Sequence, residues 1–201
     1  HLHFTTNRQA TNRILAMGEE PWRIHTVGFP AIDLIKDKNF ANKEELQNRF
    51  KLDLTKPIVL FTQHSVTTEF GKAGDQIEPS LRALKRLSIS GVQVVITYPN
   101  NDAGGQCIID HLYDFMKSAP PNIQLHRSVG RYNYHGILAL ALDQEILFSC
   151  VGNSSSGIKE TPAFGCPTVN IGSRQDGRLR AENVIDVKYG ADAIFKAVNH
   201  C

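Results

Sequence analysis

The sequence predicts a doubly wound α/β domain built on a parallel sheet. Apolar runs alternate with stretches of helical period, in the order that makes successive strand–helix–strand units. Several of those runs are continuous rather than alternating, as in a sheet covered on both faces. Polar loops follow the runs, and ligands of such sheets sit beyond the carboxyl ends of strands. Taken in order, residues 7–17 read as a helix with Thr6 as N-cap and Gly18 as its stop. A strand at 23–27 follows. The charged, strand-free stretch 36–56 holds a surface helix at 43–50 with loops around it. Strands at 57–62, 92–98 and 123–126 then alternate with helices at 76–88, 106–117 and 132–142. Strands at 146–151, 167–171 and 183–187 alternate with helices at 158–164 and 191–200.

A chain of 201 residues has room for one large domain, or a domain with an arm, and we read 1–201 as one domain. A hydrophobic fraction of 41% fills a core. A formal charge of +2 points neither to nucleic acid nor to a strongly acidic partner. No run is long enough to cross a membrane. The chain opens on His1-Leu2-His3-Phe4, with no initiator Met and none of the basic start or apolar core of a signal peptide. A fragment or processed product is therefore expected. Cys107, Cys150, Cys166 and Cys201 form no close C-x-x-C pair, so neither a zinc site nor a disulfide framework is expected, and a reducing cytosol suits them. No metal and no cofactor are called for, and a homo-oligomer is expected.

The segment 151–160, Val-Gly-Asn-Ser-Ser-Ser-Gly-Ile-Lys-Glu, carries the most chemistry. Small residues such as Gly152 and Gly157 let a backbone approach a ligand. The hydroxyls of Ser154 and Ser155, with the amides of a helix start, suit phosphate oxygens. Glu160, about one turn further on, suits the neutral hydroxyls of the same ligand, as in a nucleotide's ribose. The competing explanation is an ordinary strand–turn–helix junction capped by Ser. Four more polar loops begin at Gln63, Pro99, Arg127 and Gly172, and together the five make a nucleotide-sized cleft. His64 directly follows a strand and suits diphosphate binding or proton transfer near neutral pH, against the alternative of a partly buried structural His. Arg174 suits phosphate, or orders the ligand through Glu160, against that of a surface Arg. Asn100 and Asp102, before Gly104-Gly105, read either as ligand contacts or as an Asx turn. The other histidines, His135 among them, show no ligand spacing and read as structural or surface residues.

The motifs His1–Phe4, 27–33, 62–69, 99–104, 152–157 and 167–178, in this order along almost the whole chain, resemble the UDP-N-acetylglucosamine 2-epimerases, and within them the hydrolysing, sialate-pathway type. The stretch 152–157, joined through 160–165 to 167–178, is the most specific of them. The resemblance implies one Rossmann-like half of a glycosyltransferase-B type two-domain architecture, here the carboxyl-terminal, UDP-binding half. It implies a reaction in which UDP leaves UDP-GlcNAc to give 2-acetamidoglucal, and water adds to give N-acetylmannosamine. The acids that abstract the proton belong to the amino-terminal half and have no counterpart in this chain. Carried over, His64 falls on the phosphate-proximal His, Asn100 and Val129 on nucleotide contacts, and Ser154 and Ser155 on diphosphate contacts. Glu160 falls on the ribose-binding carboxylate and Arg174 on a ligand-contacting Arg. Ser65 stands where Pro usually follows the His, and 134–152 is longer than the pattern around Asp143-Gln144-Glu145. Gln106 and Ser128 occupy two positions that are basic in animal bifunctional members, so their CMP-sialate feedback is not expected. The rivals are a non-hydrolysing epimerase, disfavoured by the His64-Ser65-Val66-Thr67-Thr68 loop, and a non-catalytic nucleotide-sugar binding module.

Overall fold

The apolar runs become strands with no exposed face. Every residue of β3 (Ile58–Thr62), β4 (Gln93–Thr97) and β6 (Phe148–Gly152) is buried, as a parallel sheet between two helical layers requires. The computed structural model describes all 201 residues, which divide into two compact units, 1–39 and 40–201.

The first unit holds β1 (His3–Thr5), α1 (Arg8–Ala16), β2 (Ile24–Thr26) and α2 (Ala31–Lys36). β1 and β2 pair in parallel with Phe4 opposite His25. The hydroxyl of Thr11 on α1 lies 2.5 Å from that of Thr5 and 2.6 Å from that of Thr26, tying the helix to both strands. The N-cap of α1 is Asn7, not Thr6: Asn7 Oδ1 accepts from the Ala10 amide at 2.9 Å. The stop at Gly18 is as expected, with φ of +92° that glycine adopts without strain.

The second unit is a six-stranded, all-parallel sheet in the order β5-β4-β3-β6-β7-β8, completed by β5 (Ile123–His126), β7 (Thr168–Ile171) and β8 (Val184–Val187). The chain runs outward from β3 to β5, returns to the other side of β3, and runs outward again to β8. This is the doubly wound Rossmann order, and β3/β6 is its switch point. Val59 and Phe61 face a core shared with α4 (Ala73–Ile89), α5 (Gly105–Met116) and α8 (Ala191–His200). Ile58 and Leu60 alternate to the opposite face. α3 (Lys43–Phe50) and α6 (Gly130–Ala139) pack on one another, with the short α7 (Ser156–Lys159) against β6 and β7.

All seven expected strands form. α3 and α8 match the expected spans, and α4 begins three residues earlier than expected and carries Pro79 inside it. The expected helix at 132–142 starts at Gly130 and tightens into a 3-10 turn at Leu140–Leu142. The helix at 158–164 is α7 followed by a separate 3-10 turn, Thr161–Phe164. The extra residues around Asp143 do not disturb the register of β6. They form a turn in which Asp143 accepts from the Glu145 amide and pairs with Lys43.

Candidate functional site

Two loops flank the switch point, one after β3 and one after β6, and a fully buried side chain joins them. Asn153 takes the His64 amide on Oδ1 at 2.6 Å and gives Nδ2 to the His64 carbonyl at 2.8 Å. Its own amide donates to the Thr62 carbonyl at 3.1 Å. Its carbonyl accepts from Gln175 Nε2 at 2.7 Å and from Arg174 Nη1 at 3.3 Å. One residue thus locks the loops after β3, β6 and β7 together. Sequence reasoning missed it. The available signal was an amide side chain flanked by Gly at a strand end, where a buried polar group must be bonded to persist.

The fold brings His64 to Asn100. Its Nδ1 accepts from the Asn100 amide at 2.9 Å, so the neutral ring carries its proton on Nε2 and can donate from there. Burial first, then the Arg174 guanidinium, lower its pKa to about 4, with Asp102 acting the other way. Near neutral pH the imidazole is therefore neutral, with its proton on Nε2. Positive charge comes instead from Arg174, whose Nη2 lies 3.5 Å from Asp102 Oδ2. Asn100 Nδ2 donates to the same carboxylate oxygen at 2.6 Å. The Gly104-Gly105 turn behind it is compulsory, since a Cβ on Gly105 would sit 2.6 Å from the Asn100 carbonyl oxygen. Beside this cluster a polar cavity of about 330 Å³ is lined by Val66, Thr67, Thr68, Asp102, Ser173, Arg174 and Arg178.

Across the switch point, the amides of Ser154 and Ser155 make no hydrogen bond within the chain. Ser154 Oγ lies 3.1 Å from Ser156 Oγ, which in turn meets the Tyr134 hydroxyl at 2.6 Å. Ser155 is the N-cap of α7 without a side-chain capping bond. Burial above all raises the Tyr134 phenol well above its ordinary pKa, so the hydroxyl stays neutral. Glu160 ends α7, and its Oε2 lies 3.0 Å from Nε2 of the buried His135.

Both glycines of the segment are also hemmed in by packing. A Cβ on Gly152, at φ of +131°, would sit 1.9 Å from the Thr62 carbonyl oxygen. One on Gly157 would sit 3.2 Å from Thr168 Cγ2 of β7, and its amide is spent on the Ser154 carbonyl. Val129 stands apart from this network. It is buried, caps α6, and gives its carbonyl to Asn133 Nδ2 at 2.7 Å. No group of three or more His, Cys, Asp or Glu is placed to hold a metal ion. All four cysteines are unpaired, and no helix is long and apolar enough to cross a membrane.

Strand order, switch point and polar loops define a Rossmann-like α/β domain with a polar crevice at its carboxyl edge. The sequence matches the family described as UDP-N-acetylglucosamine 2-epimerase over residues 1–201, and the chain belongs to that family. It is 33% identical to a Campylobacter jejuni protein named GDP/UDP-N,N'-diacetylbacillosamine 2-epimerase (hydrolyzing), over 92% of this chain and 46% of the relative. It is 32% identical to a UDP-N-acetylglucosamine 2-epimerase of Neisseria meningitidis, over 98% of this chain and 49% of the relative. The chain thus spans about half the length of the curated relatives it matches. Its fold resembles that in the S. aureus MnaA-UDP co-structure, with a TM-score of 0.68, 17% identity, and coverage of 99% of this chain and 50% of that one. The fold is one Rossmann-like half of the glycosyltransferase-B type architecture.

Proposed function

We propose that this chain is the carboxyl-terminal, UDP-binding half of a hydrolysing UDP-N-acetylglucosamine 2-epimerase. The observation that carries the reading is the joining of His64, Asn100, Arg174 and the Ser154–Ser155 turn at the β3/β6 switch point, through Asn153. In this reading the free amides of Ser154 and Ser155 and the guanidinium of Arg174 hold the diphosphate. His64 donates Nε2–H to the β-phosphate and so assists departure of UDP. Glu160 accepts from the ribose hydroxyls, and the backbone of Val129 borders the base. Gly157 contributes by letting the start of α7 sit close on β7.

The reaction breaks the bond from C1 to the UDP oxygen as a proton leaves C2, giving 2-acetamidoglucal. Water then adds to release N-acetylmannosamine. Acids of an amino-terminal half, closing over this one, move the C2 proton. The whole protein is a cytoplasmic homo-oligomer supplying sialic acid or a related surface sugar. The unpaired cysteines support that compartment. A second reading takes a 2,4-diacetamido sugar in place of GlcNAc, favoured by the name of the Campylobacter relative.

Incubating the full-length protein with UDP-GlcNAc in H₂¹⁸O tests this. Free UDP with ¹⁸O-labelled N-acetylmannosamine is the expected outcome. UDP-ManNAc without free sugar points to the non-hydrolysing type, and turnover of UDP-diacetylbacillosamine alone to the second reading. Residues 1–201 by themselves are expected to bind UDP without turnover.

A further inference from the structure

Glu160 does not stand alone. His135 presents Nε2 to Glu160 Oε2 at 3.0 Å, with the imidazole 2% exposed. Its Nδ1 is buried without a hydrogen-bond partner. The ring lies 6.1 Å from that of Phe164. A leucine would fill such a position without orphaning a nitrogen, so packing does not explain the imidazole. The contact with Glu160 does.

Both partners are held by backbone. α6 sits hard against the chain at Ala41: a Cβ on Gly136 would be 2.5 Å from the Ala41 carbonyl oxygen, and the Ala41 amide donates to the Tyr132 carbonyl at 3.1 Å. Glu160 is fixed by its amide, which donates to the Ser156 carbonyl at 2.9 Å. With its proton on Nε2 the imidazole donates to the carboxylate.

We propose that His135 is a positioning residue for Glu160 that makes the site selective for a ribonucleoside diphosphate. It engages one lone pair of Oε2 and sets the plane of the carboxylate. Oε1 and the second lone pair of Oε2 are then aimed at the two hydroxyls of a ribose. This rests on the reading of Glu160 as the ribose-facing carboxylate.

The test measures dissociation constants for UDP, dUDP and pyrophosphate in the full-length protein, its His135→Leu, His135→Gln and Glu160→Gln variants, and the His135→Leu/Glu160→Gln double variant. His135→Leu is expected to weaken UDP about tenfold, the scale of a lost hydrogen bond to a charged group, and to leave pyrophosphate within about twofold. It shrinks the preference for UDP over dUDP, His135→Gln restores it, and His135→Leu adds nothing once Glu160 is Gln. Equal losses for UDP and pyrophosphate, or a loss that adds to that of Glu160→Gln, make His135 a packing residue and overturn the proposal. So does unchanged UDP binding in His135→Leu while Glu160→Gln shows a UDP-selective loss, an outcome that spares the ribose reading. A silent Glu160→Gln sinks both. Where His135→Leu fails to melt cooperatively, His135→Asn, too short to reach Glu160, is expected to show the same selective loss, and equal losses there overturn the proposal.

Discussion

His64 is held in a place that opposes its own protonation. Its pKa is about 4 in the fold, lowered by burial and by Arg174, against about 6.5 in an unfolded chain. Between those values the unfolded chain binds more protons, so stability rises with pH through that window and is lost as pH falls through it. The loss is on the order of 2–3 kcal/mol. In His64→Gln the stability of denaturant unfolding is therefore expected to fall less between pH 6.5 and 4 than in the unaltered chain. Identical slopes in both proteins would show that His64 titrates normally. The place of His64 was legible because it directly follows an apolar run. Its lowered pKa was not, because that comes first from burial in the fold and then from Arg174, a hundred and ten positions away in the sequence. Asn153 went unassigned, and His135 read only as a structural or surface residue, because their partners come from other strands and helices, which neither spacing nor composition names.

Among the elements, strands were the most legible, since β3, β4 and β6 bury every residue and read as unbroken apolar runs. The missed elements are short. β1 has three residues and α2 six, too few to set up a period. The α-helix expected at 158–164 breaks because Pro162 has no N–H for the Ile158 carbonyl and its ring would clash with it, so the chain continues as a 3-10 turn. Gly152 was legible as a glycine with a purpose, but the purpose lies between strands. With a Cβ 1.9 Å from the Thr62 carbonyl oxygen, Gly152→Ala must separate β3 from β6. It is expected to destabilise by roughly 3 kcal/mol or more. Gly157→Ala, facing the movable Thr168 methyl at 3.2 Å, is expected to cost roughly 1 kcal/mol. Denaturant melts of the two variants check the order, and a harmless Gly152→Ala would mean that the strands are not held this close.

At the scale of the whole molecule, the strand order β5-β4-β3-β6-β7-β8 determines which loops can meet. Alternating strands and helices announced a doubly wound sheet, but not which strands flank the switch point. That pairing joins residues 62–64 to residues 152–154, and with them the candidate phosphate and ribose groups. The central claim is that a nucleoside diphosphate occupies this crevice, and a crystal structure of the protein with UDP tests it most directly. The β-phosphate is expected within hydrogen-bond reach of His64 Nε2 and the Ser154 and Ser155 amides, with the ribose hydroxyls on Glu160. UDP bound away from the β3/β6 edge, with His64 and Glu160 both remote from it, would contradict it.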